Sequence, residues 1–513
     1  VAKVNGQQAQ TIQSSPSQIS FVVPNVSGGS ITVGQSNSLP FSVRSGRIYY
    51  VAVNGSDNAA GSQVSPWGTI PYAFNKANCG DIVYAENGVK TTGEDNYNAA
   101  LSVQKRCTLA NPVALVGYPG ATVTVGSASG PEFGIRNPDV QGDNYNGLVF
   151  ANLHIRGGNE ALEVTGSQYW RIVGNDIQVP NGGGLSGVVL VDQSSNVKFL
   201  GNNLHDSGAG GTKYYHSFYA TTNSNHIEVG WNLIQNNKSC RGVQFYSTSG
   251  SPQYDLIVHD NVIHGQECDG INFSTVDATQ GPVLAYNNLV YHVGLGGTSD
   301  GLPNYACIAS LGYGASGGEM DWWDNTVADC GPAGGSTAGA FTVQSGSPLV
   351  KTAGNLVVQN PGEVLYSRDS DSRLVTSTKD VVVLKGPSGV VDASYHPVAN
   401  SPAVGGGIGI SKVIYDLAGS PRLLAGPSDA GAYMFSKVTT GPLPPPTGAP
   451  TVTFPVYVSL ISAFTNGTTA KATGKLSLTA GSDVTGVSGG NITISGTLPN
   501  GAHFTATGQL TTQ

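Results

Sequence analysis

Three residue pairs in this chain have the types and spacing needed for proton transfer beside an anionic group. They are His216 with Tyr219, Arg241 with Gln244, and Asp269 with Asn272, in the segments "HSFY", "RGVQ" and "DGIN". A β-elimination next to a carboxylate requires a base for the proton, a cationic or hydrogen-bonding group for that carboxylate, and an acid for the leaving oxygen. His216 or Tyr219 suits the base and the acid. Arg241 with Gln244 suits a carboxylate held by two parallel hydrogen bonds. Asp269 would orient Arg241 or His216, and Lys213, in the loop "GAGGTKYYH" (208–216), would reach over the site. Asn272, Tyr214, Tyr215 and His264 are the further candidates for contact with substrate. The bland reading of Arg241 and Asp269 is a surface ion pair adding under about 1 kcal/mol. No cofactor follows from these residues, and a Ca2+ requirement stays open.

For these pairs to act together, the elements carrying them must lie side by side. Asn-x-[Ile/Leu/Val] recurs at Asn175, Asn202, Asn232, Asn261, Asn288, Asn325 and Asn355, with spacings of 27, 30, 29, 27, 37 and 30. Between these asparagines sits a second motif, small-apolar-x-apolar, in "GVVL" (187–190), "SFYA" (217–220), "GVQF" (242–245), "GINF" (270–273) and "GAFT" (339–342). A unit of about 28 residues with two or three short strands cannot bury its apolar side alone, but stacked on copies of itself it can. The pattern predicts an all-β parallel solenoid with coils about 4.8 Å apart. Each Asn is expected at a bend, stacked on the Asn of the next coil.

Aligning the second motif gives two outward rows. One runs Ser186, His216, Arg241, Asp269, Tyr305, Ala338, and the other Val189, Tyr219, Gln244, Asn272, Ile308, Phe341. The polar residues fall in three adjacent coils. A further row after the Asn motif, Gln178, His205, Gln235, His264 and Tyr291, reads first as structural stacking.

The six cysteines are Cys79, Cys107, Cys240, Cys268, Cys307 and Cys330. None forms a CxxC pair, so a zinc site is not indicated. Cys240 and Cys268 are 28 residues apart and occupy the same place in successive repeats, so a disulfide between coils is expected, holding Arg241 beside Asp269. Cys79 and Cys107 share that spacing, whereas Cys307 and Cys330, 23 apart, are less regular. Disulfides imply an oxidising compartment. With Val at residue 1, the expectation is a processed protein, secreted or at the cell surface.

Only 11% of the 513 residues are charged and 71 are glycine, which suits an all-β chain with many tight turns. The net charge of −8 argues against nucleic acid as partner. No stretch reaches the roughly 18 apolar residues of a membrane span. The expected organisation is a β-rich N-terminal extension over 1–46, the solenoid over 47–436, a proline-rich linker over 437–450 and a small Ig-like β-sandwich over 451–513. Alternation in "KLSLTA", "NITISGT" and "HFTATGQL" carries the last of these.

Three features resemble the right-handed parallel β-helix, or pectate-lyase-like, superfamily of secreted proteins. "YYVAVNGSDNAAGSQVSPWGTIPYAFNKANCGDIVYAENG" (49–88) is similar to the family's start: a strand, a Gly/Asp loop, a short amphipathic helix near Pro71–Ala77 capping the first coil, then a "GD-x-V-Y" strand. The Asn-x-Ile repeats form the middle. "YDLAGSPRLLAGPSDAGAYMF" (415–435) is similar to the family's ending, "D-x-x-G-x-x-R" followed by "D-x-G-A". The resemblance covers about 49–435 and implies the fold. It does not fix the activity, because this fold carries lyases, hydrolases, epimerases, esterases and fibres. The calcium-ligand aspartates of the pectate lyases and the paired aspartates of the polygalacturonases are missing.

The expected function is therefore a polysaccharide-active enzyme, a lyase on an anionic glycan ahead of a glycosidase. Two alternatives stand beside it. One is a structural or adhesive protein assembling as a homo-oligomer or fibre by strand exchange through its N- and C-terminal β segments. The other is a glycan-binding protein without turnover, with Tyr214, Tyr215, Tyr246 and Trp231 as candidate platforms.

Overall fold

The computed structural model describes residues 1–14, 19–34, 38–42, 46–138, 144–247, 251–296, 305–312, 317–332, 338–365 and 375–435, together with the backbone of four strands beyond them. Two compact units are present, Val1–Phe435 and Ser436–Gln513.

The first unit is dominated by a parallel β-solenoid of about nine turns. Each coil contributes a strand to each of three sheets. In one coil these are Gly187–Asp192, Ser195–Leu200 and Asn203–His205, after which the chain returns to the first sheet at His216–Thr221. Among the described residues the first sheet has nine strands, from Ala99–Ser102 to Gly339–Val343. The second has twelve, from Ile48–Val51 to Val375–Thr378. The third has eleven, from Lys90–Thr91 to Val381–Val383.

Strand alternation places one apolar residue above another inside the coils. Phe199, Phe218, Phe245, Phe273, Trp322 and Phe341 form a continuous internal ladder, with successive centroids 5.2, 6.4, 5.4, 6.5 and 5.7 Å apart. All six are essentially inaccessible to solvent.

The asparagines form the expected ladder at the bend between the second and third sheets. Asn175 Nδ2 donates to Asn202 Oδ1 at 3.0 Å, and the same bond recurs through Asn232, Asn261, Asn288, Asn325 and Asn355 at 2.9–3.0 Å. Asp380 closes the series by accepting from Asn355 Nδ2 at 2.9 Å. Each Nδ2 also donates to a buried carbonyl of the preceding coil, as Asn261 does to Val229 O. Both donor hydrogens of the amide are thereby used, and no other side chain of this size offers that pair with an acceptor.

The ends of the solenoid follow the two terminal motifs. The helix Ile70–Lys76, N-capped by Thr69, buries Ile70, Ala73 and Phe74 against the first coil. At the other end, Asp416 accepts from the Ser420 and Met434 amides and Asp429 from those of Gly405 and Phe435. Arg422 Nη2 donates to Gly431 O and, at 2.8 Å, to Asn287 Oδ1. The "D-x-x-G-x-x-R" and "D-x-G-A" residues thus tie the last segment to itself and to the solenoid.

Cys79–Cys107 and Cys240–Cys268 form as their spacing suggests, and the less regular pair Cys307–Cys330 is bonded as well. The N-terminal residues build a four-stranded antiparallel sheet, in the order Gln7–Gln8, Ala2–Val4, Gly28–Val33, Leu39–Ser42, and a separate pair, Gln10–Ser14 with Ile19–Val22. In the second unit the described backbone consists of two antiparallel pairs, Val456–Ala463 with Thr469–Leu476 and Asn491–Thr497 with His503–Gln509. The linker over 437–450 and the packing of an Ig-like sandwich lie outside the described residues.

Candidate active site on the first sheet

Tyr219, Gln244 and Asn272 stand in register on successive strands of the first sheet. Three residues earlier on the same strands or their approaches come His216, Arg241 and Asp269. The two rows share a side: the rings of His216 and Tyr219 meet edge to face at 5.0 Å, and Asn272 Nδ2 donates to Asp269 Oδ2 at 2.8 Å. The disulfide Cys240–Cys268 immediately precedes Arg241 and Asp269 and packs with Tyr305.

The expected register slips by one residue outside these three coils. Tyr219 pairs with Leu190 rather than Val189, and Asn272 with Ala309 rather than Ile308, followed by Thr342 rather than Phe341. Val189, Ile308 and Phe341 point into the core. In "GVVLV" every residue is apolar, so alternation alone cannot say which side is inward.

The cluster is also not the open surface that the sequence suggests. His216 is 4% exposed, Arg241 8% and Asp269 1%, and Gln244 and Asn272 are buried with them. The ion pair is therefore not the rim contact of the bland reading. Arg241 Nε donates to Asp269 Oδ2 at 2.7 Å. Asp269 Oδ1 accepts from the Ala306 amide at 2.9 Å. Burial pushes the Asp269 carboxyl upward, and Arg241, Asn272 and the Ala306 amide push it back. The guanidinium lies 5.0 Å from the centroid of the Tyr305 ring. Only the Nε edge of Arg241 is engaged in hydrogen bonds among the described residues, which leaves its Nη edge for a partner from outside.

His216 is neutral. Burial, aided by the nearby guanidinium of Arg241, holds its imidazole well below the ordinary range. Burial raises the Tyr219 hydroxyl. A base that is unprotonated at neutral pH thus sits beside a proton-bearing phenol.

Sequence reasoning missed two carboxylates on the same sheet. Glu160 and Glu163 repeat the three-residue spacing of the other pairs, and Glu163 pairs with Arg136 at 2.7 Å. Glu160 accepts from Ser186 Oγ and is buried, which drives its carboxyl up to about 8 against the opposing influence of that hydrogen bond. The signal was the i, i+3 spacing itself. It went unread because the Asn-x-Ile series begins only at Asn175. Ser102 Oγ, Glu160 Oε2, His216 Nδ1 and Gln244 Oε1 all lie on this sheet, buried and without a hydrogen-bond partner among the described residues. Each such atom costs about 1–3 kcal/mol if left unpaired.

Two candidates are not brought to the cluster. Tyr215 is 1% exposed, part of the core, and its hydroxyl donates to Asn159 O. It cannot meet a substrate, because the loop above it packs so tightly that a Cβ on Gly182 would lie 1.9 Å from that hydroxyl. His264 belongs to the third sheet, in register with Gln235 and Tyr291 and stacked on Tyr291 at 4.7 Å. Its row is the structural stack that the Asn motif implied. Tyr214 is 47% exposed on the approaching loop, with the Lys213 ammonium 4.9 Å from the centroid of its ring.

No family model matches the chain, and no curated protein matches it. Among solved structures it is similar to the pectate lyase Pel9A, at 14% identity and a TM-score of 0.56, over 76% of this chain and 96% of that one. It shares the parallel β-helix fold of that structure. Weaker matches to this β-helix include an alginate lyase from Paenibacillus sp. str. FPU-7 (13% identity, TM-score 0.40, 63% and 99% of the two chains) and XylC in complex with xylose (8%, 0.42, 76% and 98%).

Proposed function

We propose that this protein is a secreted polysaccharide lyase that cleaves a uronate-containing glycan by β-elimination on the first sheet of its β-helix. The observation that carries this reading is the state of Arg241. Its Nε edge is fixed by Asp269, its central carbon lies 5.0 Å from the centroid of the Tyr305 ring, and its Nη edge remains for a carboxylate. A guanidinium held this way gives two parallel hydrogen bonds at little entropic cost. It would neutralise the substrate carboxylate as the C5 proton leaves.

In this reading His216 takes the C5 proton through Nε2, its Nδ1 being buried, the C5–H electron pair forms the C4–C5 double bond, and the C4–O bond breaks. Tyr219 gives its proton to the departing oxygen. Asp269 and Asn272 position Arg241 and do not touch substrate. Gln244 Nε2 donates to a substrate oxygen, and Tyr214 with Lys213 lies on the loop that leads into the strand of His216. Among the described residues no group of three or more His, Cys, Asp or Glu side chains is arranged to hold a metal ion, and no step is routed through one. The disulfides support export to an oxidising compartment.

The test is absorbance near 235 nm, which reports the unsaturated product, on polygalacturonate, alginate and glucuronan. Wild type should release product from at least one polymer. Arg241→Lys, which keeps the charge but loses the fork, and His216→Ala should abolish release with unchanged circular dichroism. Silence of the wild type on all three polymers would remove the lyase reading in favour of binding without turnover.

A further inference from the structure

The outer side of the second sheet carries a strip of rings that catalysis on the first sheet does not use. Gly230, His259, Tyr286 and Trp323 stand in register on four successive coils. Their neighbours Val229, Val258, Ala285 and Trp322 are in the core, so alternation turns these four away from it, His259 being itself 4% exposed between Trp231 and Tyr286. The His259 imidazole stacks on Tyr286, with centroids 5.1 Å and planes 15° apart. At Gly230 the side chain is missing of necessity, since a Cβ there would come within 2.6 Å of His259 Nε2. The adjacent Trp231 fills the place, meeting His259 edge to face at 4.5 Å. At the far end the Lys412 ammonium lies 5.5 Å from the centroid of a Trp323 ring.

Trp231 is unusual in its backbone. The residue before each ladder asparagine adopts the left-handed conformation, and on the other coils that residue is Gly174, Gly201, Asp260, Asn287, Asp324 or Gly354. Glycine, asparagine and aspartate tolerate this conformation. A tryptophan at φ 56 is strained, at a cost of about 1–3 kcal/mol. Burial does not offset that cost in full, because 44% of the side chain lies in solvent. A strained and exposed aromatic ring at the head of a ring strip has the character of a ligand contact.

The rim identifies the chemistry. Lys198 is paired with Glu228, whose other oxygen lies 3.2 Å from His259 Nε2, and Lys351 is paired with Glu319 at 2.7 Å. These neutralised pairs offer donors and acceptors without net charge. Between them the row two residues upstream is apolar at Ile257 and Leu284 and then carries the Asp321 carboxylate beside Lys351, which disfavours an anionic sugar. Rings for C–H faces, flanked by hydrogen-bonding groups for hydroxyls, match a pyranose chain. Three register steps of about 4.8 Å give a track spanning about three sugar units.

We propose that this strip is a second, non-catalytic glycan-binding surface, with sugar rings seated on Trp231 and along the Tyr286–Trp323 edge. It recognises hydroxyl-bearing pyranose rings rather than carboxylates and is independent of the lyase reading.

The full chain is run in native gels containing hydroxyethyl cellulose, an uncharged pyranose polymer, or polygalacturonate. Hydroxyethyl cellulose should retard wild type and His216→Ala alike. Trp231→Ala should weaken apparent affinity about tenfold, Trp231→Tyr should restore part of it, and Trp323→Ala should weaken it further from the other end. Trp231 is exposed enough for its replacement to fold, so that variant decides if Trp323→Ala does not. Equal retardation of Trp231→Ala and wild type would overturn the proposal. So would retardation of wild type by neither polymer, or by polygalacturonate alone. A Trp231-dependent dimer in sedimentation, without retardation, would also overturn it and assign the strip to a second copy of the chain.

Discussion

Arg241 and Asp269 stand one coil apart, joined Nε to Oδ2 at 2.7 Å and locked in place by the disulfide that precedes each of them. Both are buried, so neither charge can be removed cheaply. Asp269→Ala leaves the guanidinium uncompensated and should cost about 3–5 kcal/mol in urea unfolding. Asp269→Asn keeps the shape and should cost less. Because Asp269 positions Arg241 without touching substrate, Asp269→Asn should lower kcat and leave the pH optimum in place. A kcat equal to wild type in Asp269→Asn would separate the pair from catalysis.

The neutral state of His216 has a kinetic signature. A base must be unprotonated, and burial with Arg241 nearby pushes this imidazole well below its ordinary value near 6.5. The acid limb of the kcat/KM profile should therefore fall below pH 6.5. An acid limb at or above 6.5 would assign the base to another residue.

Glu160 makes the opposite use of burial. Its carboxyl keeps its proton up to about 8 in the folded chain, against about 4.3 when unfolded. The folded state binds more protons across that window, so this group favours folding at acid pH and its contribution is lost as pH rises through about 8. Glu160→Gln retains an acceptor for Ser186 Oγ and cannot ionise. Its melting temperature should exceed that of wild type at pH 9, and the gap should narrow toward pH 5. Parallel curves for the two proteins would show that Glu160 is already ionised.

The asparagine ladder predicts a dependence on position. Asn261 accepts from Asn232 and donates to Val229 O and Asn288 Oδ1, so Asn261→Ala orphans groups on both neighbouring coils. At about 1–3 kcal/mol for each unpaired group, a loss of at least about 3 kcal/mol is expected in chemical denaturation. Gly201→Ala, one residue before another rung but in a left-handed backbone at φ 63, should also destabilise, through backbone strain. Asn261→Ala within about 0.5 kcal/mol of wild type would mean that water replaces the rung.

The parts of this molecule that were legible in its letters are those where chemistry admits few substitutes. Only an amide carries both a donor pair and an acceptor, so Asn175 to Asn355 announced the coil length. The repeated "SCRG" and "ECDG" announced that Arg241 and Asp269 adjoin. Burial was not legible: nothing in "GGTKYYHS" says that Tyr215 turns inward beneath Gly182 while Tyr214 stays in solvent. His264 was read on a row of its own after the Asn motif, but whether that row adjoins the one of His216 was not legible, because period alone does not say how far apart two rows lie around the coil; the structure puts them on different sheets. Trp231 was named as a platform. Its strain, and its companions Tyr286 and Trp323, became visible only once the coils were stacked.

The most direct test of the central claim is a crystal structure of His216→Ala soaked with an unreacted uronate trisaccharide. A sugar carboxylate should be found on the Nη edge of Arg241 at hydrogen-bond distance, with C5 facing the position vacated by the imidazole. An oligosaccharide bound elsewhere, with the Nη edge of Arg241 facing only solvent, would contradict the account.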